Sequence, residues 1–295
     1  MDSQKGKARN AAKKTNRSHG ELLQLHFYRR LIARVFHADH GTWMLKGGQA
    51  LLVRWPSARY STDIDLLGNQ DTTDAAVDEL IAAAALRLDD EIWFAHRRTF
   101  DQTHVERPTR KVTFMTMFEE APLGYEVNVD IVVAGHHPRG TVTTTALEPA
   151  FPTDCGPWPQ TRVFPVEDHV AEKICAMYEL HQVHRTPSTR AKDLVDLVLI
   201  ALKTDIEGAR MHRILADEVE RRRARHMVVD LPGSFRVPNR AWTGLYREAA
   251  QKALDLPQEM RTLGGVEAFA DAFLTPLMQR TPPPGSWHPD ERIWR

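Results

Sequence analysis

The stretch Arg59-Tyr60-Ser61-Thr62-Asp63-Ile64-Asp65-Leu66, which comes shortly after Lys46-Gly47-Gly48, is the most informative part of the chain. Its pattern predicts a strand, and two acidic residues separated by one position point to the same face of a sheet. Carboxylates held this close repel each other unless a cation lies between them, and oxygen ligands suit a divalent metal such as Mg²⁺. The stretch therefore predicts a metal site with Asp63 and Asp65 as ligands.

The glycine pair upstream predicts a phosphate site. Gly47 and Gly48 have no side chains to shield the backbone N–H groups, and the apolar residues after them predict a helix that begins at the pair. Backbone donors and the helix dipole favour anions at a helix N-terminus. A Gly-Gly pair alone would equally fit a tight turn. Together with the acidic motif, it indicates a site for a metal-bound triphosphate.

The composition indicates a globular protein with no general attraction to nucleic acid. The chain has 295 residues, and its 39 basic and 39 acidic side chains give a formal net charge of zero. No apolar run approaches the roughly 18–20 residues of a transmembrane helix, and no signal peptide is evident. Cys155 and Cys175 form no CxxC or zinc spacing, which favours a reducing cytoplasm. We expect neither a membrane partner nor, by default, an oligomer.

The order of elements predicts an α+β fold with two domains. Residues 19–140 alternate between helical and strand periods and predict a mixed sheet with helices. Residues 141–295 are expected to form a mainly helical domain with an irregular C-terminal tail. Residues 1–18 are polar and basic, and we expect a flexible tail there. The alternative for this tail is an arm that contacts nucleic-acid phosphates.

A third carboxylate comes from the strand predicted at residues 125–133. Polar and apolar residues alternate along it, so that Asp130 shares the polar face and valines and isoleucine occupy the other. A polar row within an apolar strand indicates that the row lines a site. Asp130 is therefore a candidate third metal ligand, with a purely structural polar residue as the alternative.

Two further candidates lie in the predicted helices. Lys173 lies at the edge of an apolar helical face, from which it can reach a triphosphate or extend to water. Asp193 and Asp196 share one face of the next helix. Asp193 can hold Lys173, bind a ribose or act on an acceptor hydroxyl. Favourable acidic charge in a first helical turn is the alternative.

A dense basic run is the remaining candidate. Near a predicted helix C-terminus, basic charge suits the helix dipole and can be purely solvated. It can also bind RNA phosphates. The RNA-binding candidates are Arg221, Arg222, Arg223 and Arg225.

Four ordered motifs resemble those of the AbiEii-type (MenT-like) nucleotidyltransferase toxins of toxin–antitoxin systems. They are Lys46-Gly47-Gly48, Arg59-x-Ser61-x-Asp63-Ile64-Asp65-Leu66, Glu172-Lys173 and Lys192-Asp193-Leu194-Val195-Asp196-Leu197. The match covers about residues 40 to 202. The chain departs from the wider superfamily at Gly48, where serine is frequent, so the backbone must bind phosphate there.

The resemblance implies a polymerase-β-like nucleotidyltransferase domain followed by a helical bundle, with an NTP donor, Mg²⁺ and a cognate antitoxin. It also implies addition of nucleotides to the 3′ end of tRNA, which blocks aminoacylation and translation. Carried over, Asp63 and Asp65 bind metal, Lys173 binds the triphosphate, and Asp193 is the acidic residue of the last motif. The nucleotide- and phosphate-binding set is Lys46, Gly47, Gly48, Arg59, Ser61 and Asp196.

Other functions stay open at this stage. The same chemistry can serve a small molecule such as an aminoglycoside, or a protein hydroxyl. A non-catalytic nucleotide- or RNA-binding module is a further alternative, although the intact acidic and lysine motifs argue against it. For a nucleotidyltransferase, the nucleotide is expected to bind in a cleft between the two domains.

Overall fold

The computed structural model describes residues 2–101, 109–133, 137–181 and 185–295, and the chain divides into two compact units. Unit 1 comprises Met1–Pro56, Tyr60–His137 and Val142–Phe164, and unit 2 comprises Ser57–Arg59, Pro138–Thr141 and Pro165–Arg295. Residues 142–164 belong to unit 1 because they add two strands to its sheet.

Unit 1 contains the predicted mixture of helices and strands. The helices are α1 (Asp2–Ala12), α2 (His19–Ala38), α3 (Gly47–Arg54) and α4 (Thr73–Ala84). The strands are β1 (Trp43–Lys46), β2 (Ile64–Gly68), β3 (Ile92–Asp101), β4 (Thr109–Phe118), β5 (Ala121–Val133), β6 (Thr143–Ala146) and β7 (Gln160–Val163).

The N-terminal segment differs from the flexible tail that the sequence predicted. Residues 2–12 form α1, in which Ala8 is fully buried and Gln4 Nε2 donates to Cys155 Sγ at 2.9 Å. The following helix begins at a capping box, since Ser18 accepts from the Glu21 amide and Glu21 accepts from the Ser18 amide. Contacts with a segment far along the chain thus order a helix that its polar composition does not predict.

The sheet of unit 1 has seven strands in the order β3-β4-β5-β2-β1-β7-β6. Strand β2 pairs in parallel with β5 and antiparallel with β1, so it lies in the centre of the sheet. This arrangement confirms the mixed α+β architecture predicted from the sequence. It also brings β2 beside a strand that follows it by about sixty residues in the chain.

The two faces of the sheet differ sharply in polarity. One face is buried beneath helices, as Phe27 of α2 contacts Tyr125 of β5 at a ring-centroid distance of 4.8 Å. Because side chains alternate along a strand, the intervening positions of β2, β4 and β5 point to the opposite face. The apolar face includes Ile64, Leu66, Val112, Phe114, Val127, Val129 and Ile131, all at most 1 % exposed.

Unit 2 is mainly helical with short strand pairs. Its helices are α5 (Val166–Met177), α6 (Ala191–Lys203), α7 (Gly208–Arg223), α8 (Trp242–Gln251) and α9 (Leu263–Met278), with a 3₁₀ turn at Gln258–Arg261. Its strands are β8 (Glu179–His181), β9 (Thr186–Pro187), β10 (Ile206–Glu207), β11 (Val228–Val229), β12 (Ser286–His288) and β13 (Ile293–Trp294). In the part of the chain that is described, no helix is both long and apolar enough to cross a membrane.

The C-terminal segment is not the irregular tail that the sequence predicted. Strands β12 and β13 form a three-stranded sheet with β10. Trp287 is fully buried, donates its indole N–H to the Ala201 carbonyl at 2.7 Å, and meets the Phe273 ring at 5.0 Å. The segment is ordered despite the nearby prolines because burial of the large Trp287 side chain is favourable enough to offset the conformational entropy that a short segment loses.

Candidate active site

The opening acidic motif lies at the start of β2. Asp65 is in the strand, whereas Asp63 lies just before it and accepts a hydrogen bond from the Ser61 hydroxyl at 2.9 Å. Ser61 is buried, and its carbonyl accepts from Gln49 Nε2 of α3 at 3.1 Å. These bonds anchor the segment that carries the motif. The Ser61 hydroxyl thus orients Asp63, and a phosphate contact by Ser61 remains a prediction.

Four charged residues form a row across four neighbouring strands. Lys46 of β1 is opposite Asp65 of β2, Asp65 is opposite Asp130 of β5, and Asp130 is opposite Lys111 of β4. Residues directly opposite each other on adjacent strands point to the same face. We call this set the charged row. It carries two adjacent carboxylates flanked by a lysine on each side.

The two central carboxylates, Asp65 and Asp130, repel each other unless positive charge lies nearby. Like charges directly opposite each other destabilise a sheet, and Lys111 Nζ lies 3.4 Å from Asp130 Oδ1. Carboxylate oxygens also suit Mg²⁺, so the Asp65–Asp130 pair fits a divalent cation by donor chemistry. Among the described residues, however, no group of three or more His, Cys, Asp or Glu side chains is arranged to hold a metal ion.

Gly47 turns the chain from β1 into α3 directly beside Asp65. Its φ of +61° lies in the left-handed region that favours glycine. A Cβ built on Gly47 would lie 1.8 Å from Asp65 Oδ2. Both the backbone angle and the close approach therefore require glycine here. The turn brings unshielded backbone next to one of the two central carboxylates.

The other residues of the glycine motif are buried. Gly48 lies in the first turn of α3. The Lys46 side chain is only 9 % exposed, and its ammonium lies 4.2 Å from the centroid of the Phe164 ring. This cation–π contact defines the position of the Lys46 head group. A phosphate contact by Lys46 remains a prediction.

A second set of predicted residues comes together within unit 2. Lys173 Nζ donates to Asp193 Oδ1 at 3.0 Å and to Asp196 Oδ2 at 2.7 Å. Arg59 binds Asp196 through Nε at 3.2 Å and Nη2 at 3.0 Å, and Arg190 Nε binds Asp193 at 2.5 Å. We call these five residues the lysine cluster. Its three cations and two anions give a net charge of +1.

Mutual attraction keeps the lysine cluster ionised despite its burial. Burial alone would raise the pKa of Asp193, but Lys173 and Arg190 outweigh it and hold that pKa well below its usual range. Burial likewise opposes ionisation of Asp196, whose pKa Arg59 and Lys173 lower. Burial would lower the pKa of Lys173, but Asp193 and Asp196 raise it. The cluster is therefore a set of coupled charges rather than a single exposed lysine.

The first two arginines of the basic run at the end of α7 pair with acidic side chains of the same protein. Arg222 binds Glu218 through Nε at 2.9 Å and also pairs with Glu179, while Arg221 pairs with Glu218 and, at 3.6 Å, with Glu172. Both arginine side chains are only 13 % exposed. Their charge is satisfied inside the protein because Glu218 is buried and needs compensation. Arg221 and Arg222 are thus largely engaged in ion pairs, and an RNA contact by them remains a prediction.

An RNA contact by the other two arginines of the run, Arg223 and Arg225, also remains a prediction. The Arg223 side chain is 61 % exposed and pairs with Glu220 on the same helix, a kind of contact that contributes little to stability. Arg225 is partly exposed just beyond α7. An RNA contact is thus compatible with the exposure of these two residues.

Sequence reasoning missed Lys111. The alternation of polar and apolar residues in β4 was a signal that Lys111 shares a face with Thr113. That alternation does not reveal which strand lies beside β4. Only the pairing with β5 brings Lys111 opposite Asp130.

Comparisons with known proteins identify the family of the chain. The model of the family "Nucleotidyl transferase AbiEii toxin, Type IV TA system" matches residues 30–275, and no curated protein matches the chain. The solved structure of MenT4, a nucleotidyltransferase toxin from Mycobacterium tuberculosis H37Rv, is similar over 73 % of this chain and 70 % of that one, with 17 % identity and a TM-score of 0.53. The structure of JHP933 from Helicobacter pylori matches over 69 % and 74 %, with 16 % identity and a TM-score of 0.41.

The family match covers well over half of the chain, and the likeness to MenT4 shows that the fold is shared. The enzyme class agrees with a carboxylate pair beside a glycine turn. The chain belongs to the AbiEii family of nucleotidyltransferase toxins of toxin–antitoxin systems.

Proposed function

We propose that this toxin transfers a nucleoside monophosphate from an NTP to the 3′ hydroxyl of tRNA and so blocks aminoacylation and translation. The observation that carries the proposal is the charged row, in which Asp65 and Asp130 are directly opposed beside the Gly47 turn. A carboxylate pair next to a glycine turn at a helix N-terminus suits a metal-bound triphosphate. We propose the cytoplasm as the place of action and a cognate antitoxin as the partner.

We propose that Asp63, Asp65 and Asp130 hold Mg²⁺. Bound there, the ion would neutralise charge on the transferred phosphoryl group and on the leaving pyrophosphate. The RNA 3′ oxygen forms a bond to the α-phosphorus as the bond to pyrophosphate breaks. The Ser61 hydroxyl holds Asp63 in position for this task.

The glycine motif would bind the triphosphate. The backbone N–H groups at the start of α3 and the dipole of this helix attract phosphate oxygens. The left-handed Gly47 brings this part of the chain close to Asp65. Lys46 and Gly48 would support the same phosphates.

We propose that Lys173 of the lysine cluster takes part in NTP binding. The net charge of +1 on the cluster favours an anionic ligand. Asp193 and Asp196 hold the Lys173 ammonium from two sides. Arg59 has the same kind of role, since it binds Asp196 in a bidentate manner. Exchange of a carboxylate contact for a triphosphate oxygen would then couple NTP binding to the cluster.

Substitution of Gly47 is expected to lower nucleotide transfer by displacing the Asp65 carboxylate. In Gly47→Ala, the new methyl group must displace the Asp65 carboxylate. A misplacement of about 1 Å at a reacting group can lower the rate about 10²-fold. We expect this loss in kcat/KM for labelled NTP. Gly124→Ala is the matched control, because Gly124 also has positive φ but a Cβ there would meet nothing within 4 Å. Equal activity of the two variants would contradict a role for the close approach.

Nucleotide transfer itself is tested by incubating the purified chain with total tRNA, Mg²⁺ and each NTP in turn, labelled at the α-phosphate. We expect the label to appear at the RNA 3′ end. Prior periodate oxidation of the terminal ribose should abolish the signal, because it removes the attacking hydroxyl. EDTA should abolish it as well if the carboxylates act through Mg²⁺.

The same assay distinguishes the alternative functions. Label on a protein or on an added aminoglycoside, with none on RNA, would contradict the tRNA proposal and favour a different acceptor. NTP binding without any transfer would favour a non-catalytic module. Glutamate substitution of Arg223 and Arg225 should reduce the salt dependence of an RNA reaction, whereas a small-molecule reaction should not respond.

A further inference from the structure

An exposed aromatic residue lies at the end of the charged row. Phe100 of β3 is directly opposite Lys111 of β4, so its ring belongs to the same face of the sheet as Asp130. Phe100 is 47 % exposed, although burying a phenylalanine is normally favourable by about 1.5–3 kcal/mol. Among the large apolar residues identified as exposed in the described part of the chain, Phe100 is the one with a ring.

The ring is accompanied by positive charge. Arg98 lies two positions before Phe100 in the same strand, and its guanidinium carbon is 5.1 Å from the ring centroid. The Lys111 ammonium follows on the next strand, where its side chain is 36 % exposed. An exposed ring, a planar cation and a flexible ammonium are the groups that bind the bases and phosphates of single-stranded nucleic acid. We call Arg98, Phe100 and Lys111 the acceptor platform.

The order of the strands favours the acceptor, rather than the NTP donor, as the substrate that the acceptor platform binds. Gly47 and Lys46 are at the β1 side of Asp65, whereas Lys111 and Phe100 are at the far side of Asp130. In an in-line displacement, the attacking and leaving oxygens lie on opposite sides of the transferred phosphorus. If the donor phosphates bind at the glycine turn, the acceptor must approach from the β4–β3 side. Neighbouring strands are about 4.8 Å apart, so Phe100 lies roughly 10 Å from Asp130, about the reach of one or two nucleotides.

We propose that the acceptor platform binds the single-stranded 3′ end of the RNA acceptor. A terminal base stacks on the Phe100–Arg98 pair, and the Lys111 ammonium binds a backbone phosphate beside Asp130. Lys111 thereby connects the carboxylate pair to the acceptor. This inference rests on the proposed function and deepens it, because it names the residues that select a polynucleotide acceptor.

The test measures RNA binding without catalysis. A short fluorescein-labelled single-stranded RNA ending in CCA is titrated with the full-length protein in the absence of NTP, and fluorescence anisotropy reports Kd. Phe100→Ala should raise Kd about tenfold, the usual effect of losing one base-stacking contact. Phe100→Tyr should retain most of the affinity. Leu245→Ala is the matched control, since Leu245 is also an exposed large apolar residue but belongs to unit 2.

A kinetic measurement assigns the platform to the acceptor. In the transfer assay, Phe100→Ala should raise KM for RNA and leave KM for NTP unchanged. Arg98→Gln should weaken RNA binding and lower its salt dependence, because it removes one cation. Thermal denaturation of each variant shows whether the fold is retained, and Phe100→Tyr separates loss of the ring from disturbance of β3.

Several outcomes would overturn the platform. One is a Phe100→Ala protein with unchanged Kd and unchanged KM for RNA, while the wild type still transfers nucleotides; the proposed function would then stand alone. A rise in KM for NTP instead of RNA would mean that the ring binds the donor. Wild-type protein that shows no RNA binding would also refute the platform. Conversely, binding that depends on Phe100 without transfer to any RNA would support the platform and contradict the proposed function.

Discussion

Asp65→Asn is expected to abolish nucleotide transfer while leaving the protein folded. Asp65 is directly opposite Asp130 and adjacent to the Gly47 turn, so it lies at the centre of the proposed metal and phosphate site. Metal-assisted phosphoryl transfer derives several kcal/mol of transition-state stabilisation from the ion, which corresponds to about a 10³-fold rate at 1.36 kcal/mol per factor of ten. Asparagine retains the shape of the side chain but removes the charge. The measurement is single-turnover transfer of labelled NMP to RNA.

Glu126→Gln provides the matched control for this variant. Glu126 lies on the same strand as Asp130 and on the same face, but it pairs with Arg97 at 3.7 Å and its side chain is 40 % exposed. Removal of an exposed charge there should change the rate little. Thermal denaturation should give Asp65→Asn a Tm close to that of the wild type. Full transfer activity in Asp65→Asn would contradict the proposed role of the carboxylate pair.

Lys173→Met is expected to lower the free energy of unfolding by several times as much as the loss of an exposed lysine. The substitution leaves Asp193 and Asp196, each 1 % exposed, without the ammonium that contacts both. Removing one partner of a buried ion pair typically costs about 3–5 kcal/mol in the free energy of unfolding. Arg59 and Arg190 still bind one carboxylate each, which favours the lower part of this range. Chemical denaturation in urea measures the difference.

The pH dependence of this loss has a definite sign. The pKa of Asp193 and that of Asp196 are lowered in the folded state, so their stabilisation is present above the unfolded value of about 3.9 and disappears as the pH falls below it. The pKa of Lys173 is raised, so its contribution is complete below the unfolded value of about 10.4 and is lost at higher pH. The stability difference between Lys173→Met and wild type should therefore be constant near neutrality and shrink in acid.

Lys252→Met serves as the control for the loss of a lysine. Lys252 pairs with Glu248 on the helix surface, and both side chains are about half or more exposed. Such a pair contributes about 0.3–0.5 kcal/mol. If Lys173→Met were as stable as Lys252→Met at neutral pH, the lysine cluster would not stabilise the fold. Its role would then have to be sought in NTP binding alone.

Periodic patterns predicted most of the elements but not all of their limits. Alternation in the sequence predicts strands around Ile92, Val112 and Val129, and the structure has β3, β4 and β5 there. Helical spacing predicts helices after Thr72 and Arg190, where α4 and α6 lie. Apolar spacing in the sequence predicts one helix over residues 166–184, but α5 ends at Met177 and β8 begins at Glu179. The pairing of β8 with β9 and β11 decides this change. Local spacing contains no information about such a partner strand.

The composition of the candidate site was partly predictable from the sequence. Asp63, Asp65 and Asp130 could be named from chemistry and spacing, and Lys173 with Asp193 from their helical faces. Burial of charge could not be inferred in the same way. Arg30 and Arg34 of α2 are fully buried against Asp90, whereas an arginine in a sequence is normally expected at the surface. The same limit applies to the ion pairs that Arg221 and Arg222 form with Glu218.

The sequence by itself determined the kinds of chemistry that this protein can perform. It supplied paired carboxylates after a glycine turn, lysine and acidic motifs in helices, and alternation sufficient for an α+β fold. Only the tertiary structure decided that Lys46, Asp65, Asp130 and Lys111 form one row. The reason is that strand register depends on hydrogen bonds between segments far apart in the chain, whereas residue spacing reports only on neighbours. Which charges lie side by side is therefore a property of the folded sheet.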